Sequence, residues 1–263
     1  MTSVTLAARD SATMLRRDIK HSLRYPVMTI SGVVVPIFFL LLFVGIFGHT
    51  LRAGLHGVIP SGGRYIDYLT PGIILMTASA GAEATAIGVC NDMREGIIAR
   101  FRTMSISRTS VLTGRVVGSL LQALFSVVLV VGVALALGFR PTATPVEWLA
   151  AAGVFALLTV ALTWLAVAFG LVAATPEGAN SMSLILVVLP FVSSAFVPTA
   201  SMPAGARWFA QNQPFTPVIQ TLRGLLDHAP IGHSALLAVA WCVGIAAVGF
   251  GWARRRYNDN RSR

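Results

Sequence analysis

Six runs of apolar residues dominate the chain: Val27 to Phe47, Leu69 to Cys90, Val116 to Gly138, Trp148 to Ala173, Met182 to Ala200 and His233 to Trp252. A helix needs about 20 predominantly apolar residues to cross roughly 30 Å of hydrocarbon, so each run is a candidate membrane span. The fifth is the shortest and is interrupted by Pro190 and Pro198. The pattern predicts an all-α polytopic membrane protein with six transmembrane helices.

The polar stretches between the runs carry patterns of their own. Residues 1–26 place Leu15, Ile19 and Leu23 at helical spacing among Arg16, Arg17, Lys20 and Arg24, which predicts a basic amphipathic helix in the membrane interface; the alternative is a disordered basic tail. Between spans two and three, a helix advancing about 100° per residue gathers Met93, Ile97, Phe101 and Met104 on one face, with Glu95 and Arg102 opposite. Asp92 stands where an N-cap belongs, and Ser105 to Ser107 reads as the terminating turn. This predicts a short cytoplasmic helix with an apolar ridge sized for a partner, in preference to a ridge that packs on the membrane surface.

From Ser201 to Gly232 two short outer-face helices are expected. Pro203 opens one that carries Trp208 and Phe209. Thr216-Pro217 is an N-cap and N1 signal for the other, with an apolar stripe of Phe215, Val218, Ile219, Leu222, Leu225 and Leu226. Lidding the bundle is the role favoured for both. The organisation is therefore an interfacial helix over 1–26, a six-span domain over 27–252 and a basic tail over 253–263.

Charge orients this arrangement. With the amino terminus inside, the inside segments hold Arg9, Arg16, Arg17, Lys20 and Arg24, then Arg94, Arg100, Arg102, Arg108 and Arg115, then Arg254, Arg255, Arg256, Arg261 and Arg263. These are fifteen of the 20 basic residues. The outside segments keep Arg52, Arg64, Arg140, Arg207 and Arg223, and the inside loop from Ala174 to Ser181 has none. The positive-inside rule then places both termini in the cytoplasm. A net charge of +10 suggests nucleic acid in a soluble protein. Here, with 55% hydrophobic and only 11% charged residues, it reads as topology and attraction to anionic lipid headgroups, with no nucleic-acid partner. The first 26 residues are too polar and too long for a signal-peptide n-region, so the first span is expected to stay as an anchor.

The chemistry is sparse. The only lysine is Lys20, between Ile19 and His21, so GxxxxGK[ST] is absent and the chain has no phosphate loop of its own. HExxH and GxSxG are also absent, no catalytic constellation is expected, and His49 with His56 is a weak basis for a metal site, so no metal is expected. Cys90 and Cys242 lack CxxC spacing and are expected to be structural. Glu83 is the single acidic residue well inside a span. A charge there costs roughly 2.5–3.5 kcal/mol on insertion scales. It reads either as a polar point on a substrate or proton path or as a hydrogen-bonded strut between helices. Gly114 and Gly118 form a small-xxx-small pair entering span three.

The combination of Asp92-Met93-Arg94-Glu95-Gly96-Ile97-Ile98-Ala99-Arg100-Phe101-Arg102, Ile106-Ser107-Arg108, Leu112-Thr113-Gly114-Arg115-Val116, Asn212-Gln213-Pro214-Phe215-Thr216-Pro217 and Leu222-Arg223-Gly224-Leu225 resembles the daunorubicin-resistance branch of type-2 ATP-binding-cassette export permeases. The resemblance covers nearly the whole chain. It implies a permease subunit in the plasma membrane that exports a drug, lipid or glycolipid. It also implies two separate ATPase subunits that bind ATP and Mg, and a second permease copy or a sister permease. The helix between spans two and three would then be the coupling helix, with Asp92, Met93, Glu95, Ile97, Phe101, Arg102 and Met104 as ATPase-contacting residues. Family members often carry an acidic residue where this chain has Ala99, which leaves Glu95 and the apolar ridge as the stronger contacts. The other reading is an ATPase-independent secondary transporter or channel, which several carboxylates inside the spans would have favoured; there is one.

Overall fold

A computed structural model of the chain describes residues 26–46, 64–95, 108–227 and 231–259. Eight α-helices occur among the described residues: α1 (Pro26–Gly45), α2 (Tyr65–Arg94), α3 (Arg108–Ala136), α4 (Pro145–Val172), α5 (Pro176–Val188), α6 (Ala204–Asn212), α7 (Phe215–Leu226) and α8 (Ser234–Asp259). Four of them, α2, α3, α4 and α8, contain stretches long and apolar enough to cross a membrane, and Gly32–Gly45 and Pro176–Val192 are shorter apolar helices.

Local chemistry sets the ends. At the start of α4, Thr144 and Glu147 cap reciprocally: the Thr144 N–H donates to Glu147 Oε2 at 2.6 Å and the Glu147 N–H donates to Thr144 Oγ1 at 3.4 Å. Pro145 occupies the first helical position, where no N–H is missed. At α5 the cap runs one way, Thr175 Oγ1 accepting from the Gly178 N–H at 3.1 Å, with Pro176 next. The helix α3 ends where Gly138 turns left-handed at φ 103°, which lets the Phe139 N–H reach back to the Ala134 carbonyl at 2.9 Å and buries the Phe139 ring.

At the centre α2 packs against α1, α3, α4, α5 and α7, while α4 also packs along α8 and α7. Close approach at the α4–α8 crossing depends on Gly249, where a Cβ would lie 2.7 Å from the Leu165 backbone nitrogen. Edge-on Trp164–Phe250 and Phe169–Trp252 pairs seal the same contact at centroid distances of 4.9 and 5.8 Å. By contrast, α3 and α8 expose Leu121, Phe125, Val128, Leu236, Trp241 and Val248, the apolar outer surface a lipid-facing helix requires.

Several boundaries depart from the sequence pattern. The fifth run does not form one helix to Ala200: α5 stops at Val188, a 3-10 turn covers Leu189–Val192 and a second covers Thr199–Ser201. Pro190 cannot donate to the preceding turn, so the helix ends there. Nor are Ala174 to Ser181 a loop, since the Thr175 cap starts α5 at Pro176. Asp92 is not an N-cap, because α2 runs on through it to Arg94. Thr216 is not an N-cap either; α7 begins at Phe215, and the Thr216 hydroxyl donates to the Ala210 carbonyl instead. Residues 253–259 continue α8, with Ala253 and Tyr257 buried. The interfacial helix expected over residues 1–26 lies outside the described residues up to its last position, Pro26, which starts α1.

Candidate functional site

At the end of α2 and the start of α3 a second apolar cluster, separate from the main core, joins Val89, Leu112, Val116, Trp164, Val167, Leu171 and Tyr257. Met93 packs against it, so one member of the expected ridge faces this chain's own core. Asp92, one residue before Met93, reaches α3: its Oδ2 lies 3.4 Å from Arg115 Nη1. Glu95 caps the helix, and its N–H donates to the Asn91 carbonyl at 2.9 Å. Ile97, Phe101, Arg102 and Met104 lie outside the described residues.

On its other flank α2 meets the start of α5. Cys90 Sγ donates to the Ala173 carbonyl at 3.5 Å. The Glu177 carboxyl is held below the usual carboxylate range, first by its own backbone N–H and then by the Thr175 hydroxyl, with the Arg94 charge adding to the effect. The last turn of α2 is thus braced on both sides, by α3 and by the α4–α5 turn.

A family model described as ABC-2 type transporter matches residues 10–226. The chain belongs to the ABC-2 type transporter family. Its relatives include the daunorubicin resistance ABC transporter permease protein DrrB1 of Streptomyces coeruleorubidus, 25% identical over 230 residues that cover 87% of this chain and 73% of that one. The probable doxorubicin resistance ABC transporter permease protein DrrC of Mycobacterium tuberculosis is 23% identical over 227 residues, 84% of this chain and 78% of that one. The putative transport permease ycf38 of Porphyra purpurea is 27% identical over 223 residues, 83% and 74% respectively. The chain is a multi-pass permease subunit of an ABC exporter.

Within this ABC-2 permease Glu83 lies midway along α2 and is only partly buried. No hydrogen bond or ion pair joins it to another described residue. The strut between α2 and α3 is made by a neighbour: Thr85 Oγ1 and Ser119 Oγ lie 2.7 Å apart. Their approach is helped by Gly81, whose Cβ position faces Ala123 at 3.9 Å. Glu83 is left on the open side of the helix.

Sequence reasoning missed Arg223, which counts only as an outside charge in the loop reading. On α7 it donates from Nη2 to the carbonyls of Ser194 at 2.8 Å, Tyr68 at 3.0 Å and Ala195 at 3.3 Å, and from Nε to Tyr68 at 3.2 Å. A signal existed: a helix broken at Pro190 frees carbonyls that must find a donor away from water. The α7 apolar stripe likewise does more than lie on the surface, since Phe215, Val218, Ile219, Leu222 and Leu226 are all buried in the main core.

Proposed function

We propose that this permease forms the membrane pathway of an ATP-driven exporter in the plasma membrane, with six spans, both termini cytoplasmic, and a hydrophobic or amphipathic molecule as cargo. Two separate ATPase subunits would bind ATP and Mg, and a second permease copy or sister permease would complete the pathway. The names of two relatives, given for daunorubicin and doxorubicin resistance, support a drug as the cargo class. Four long apolar helices together with the shorter α1 and α5 supply six apolar segments for six spans. The fifth would be a broken one whose free carbonyls Arg223 satisfies.

The observation that carries the reading is the family match over residues 10–226, joined to a chain that has no phosphate loop of its own. Force has to enter from a partner. Residues 92–104 are the proposed entry point, with Asp92, Met93 and Glu95 at the stem and Ile97, Phe101, Arg102 and Met104 beyond it.

The test is co-purification of an ATPase subunit with the tagged permease from its native membrane. Phe101→Asp is expected to abolish it while leaving membrane insertion intact, because a carboxylate would have to be desolvated in an apolar groove. Full retention of the ATPase by Phe101→Asp would overturn the docking assignment.

A further inference from the structure

Asp92 and Arg115 sit on either side of residues 96–107, one in the last turn of α2 and the other two turns into α3, and they are joined at 3.4 Å. The path of Arg115 is prepared on α2 itself. At Gly88, one turn before Asp92, a Cβ would lie 1.8 Å from Arg115 Nη2, so the guanidinium occupies the space a side chain would fill. From there it reaches Asp92 on the same face, since residues four apart on a helix are neighbours. Both side chains keep about a quarter of their surface exposed, at 27% for Arg115 and 26% for Asp92. A pair so hydrated adds little to stability. Its place in the fold is what matters: seated in the Gly88 gap, Arg115 ties the end of α2 to α3 on either side of the segment between them.

We infer that Asp92, Arg115 and Gly88 form a positioning clamp that makes the stems of the 96–107 segment move as one body, so that force applied to that segment is delivered to α2 and α3 together. Asp92 then acts on Arg115 and not on the ATPase. The inference rests on the docking reading of residues 92–104 and changes the role of its first member. The apolar cluster of Val89, Leu112, Val116 and Trp164 directly behind the pair provides the rigid backing such a clamp needs. The Cys90 Sγ contact to the Ala173 carbonyl, at 3.5 Å, ties the same turn to the α4–α5 turn.

The test uses the permease in nanodiscs, with and without its co-purified ATPase. Spin labels at Asn91→Cys and Thr109→Cys, in a background lacking Cys90 and Cys242, report the distance between the stems. The unsubstituted pair is expected to give one narrow distance, with and without ATP. Asp92→Asn and Arg115→Gln are expected to broaden it, and Asp92→Glu to restore it. Gly88→Ala should behave like Asp92→Asn although both charges remain, because it displaces only the end of a flexible side chain and leaves the fold intact. In the complex, Asp92→Asn is expected to keep its ATPase but lose about fivefold or more of the permease-dependent stimulation of ATP hydrolysis, the scale of a modest coupling energy. A narrow distance or full stimulation in Asp92→Asn would overturn the clamp. So would loss of the ATPase in Asp92→Asn with the distance unchanged, since Asp92 would then be a docking contact. If the unsubstituted permease itself retains no ATPase, the docking reading falls, and the distance measured on the permease alone still decides whether the clamp exists.

Discussion

The Arg223 guanidinium lies over the ring of Tyr68, 3.6 Å from its centroid, while the Tyr68 hydroxyl donates to the same Ser194 carbonyl that Arg223 bonds, at 3.0 Å. One cation and one phenol thus hold the broken end of α5 against α2 and α7. Aromatic packing covers the same break, with Phe191 stacked on Phe196 at 5.0 Å and α1 contributing Phe39 and Phe43. Arg223→Gln leaves carbonyls short of a donor and is expected to cost about 1–3 kcal/mol, with Tyr68→Phe costing about 0.5–1.5 kcal/mol because the ring contact survives. Thermal unfolding in detergent checks both. Equal effects would mean that the hydroxyl holds the break as much as the guanidinium does.

The α4–α8 crossing predicts a contrast between two glycines of one helix. Gly249 has the Trp164 and Leu165 backbone within 2.8 Å of its Cβ position, whereas Gly244 has nothing within 4 Å. Backbone cannot yield as a side-chain end does, so Gly249→Ala is expected to destabilise by roughly 1–3 kcal/mol. Gly244→Ala should be neutral or slightly stabilising through helix propensity. Matching melting temperatures for the two variants would place α8 wrongly.

Just past α7, burial pushes the Asp227 carboxyl up to about 6, with the Asp67 carboxylate adding to the shift and Arg223 opposing it. A folded-state pKa above the unfolded value means that the folded protein binds the proton more tightly. The stabilisation is fully present below about pH 4 and is lost as pH rises through about 6. Melting temperature is therefore expected to fall between pH 5 and pH 7.5. Asp227→Asn should flatten that fall and raise the melting point at pH 7.5. An unchanged slope in Asp227→Asn would exclude this carboxyl as its source.

Glu83 separates stability from transport. Without a partner among the described residues, Glu83→Leu is expected to leave thermal stability at or above that of the wild type, since an insertion cost of roughly 2.5–3.5 kcal/mol is relieved. A loss of more than about 1 kcal/mol would restore the strut reading. Glu83→Gln keeps the shape and removes the charge, so reduced transport by a well-folded Glu83→Gln protein is the expected mark of a place on the substrate path.

Single cysteines test the proposed topology. In a background lacking Cys90 and Cys242, both buried and free, Thr109→Cys and Ser262→Cys are expected to label only from the cytoplasm and Gly62→Cys only from outside. Labelling of Thr109→Cys from outside intact cells would overturn the six-span arrangement.

The rough positions of the four long apolar helices were legible in the sequence because burying a backbone in hydrocarbon demands long apolar runs, a one-dimensional requirement. The Thr175-Pro176 start of α5 was equally local but was hidden by counting from the apolar window instead of from the cap. The partners of the charges were not legible. Asp92 reads as an N-cap until Arg115, 23 residues later, is folded beside it. Arg64, Arg207 and Arg223 read as outside charges until they are seen to donate to carbonyls: Arg64 to Gly138, Arg207 to Thr199, Ala200 and Met202, and Arg223 to Tyr68, Ser194 and Ala195. A span's length is fixed by the bilayer and is written along the chain. Which carbonyl a guanidinium reaches depends on how the helices cross, and that is settled by where Gly72, Gly88, Gly170 and Gly249 allow backbones and side chains to approach, which only the folded bundle decides.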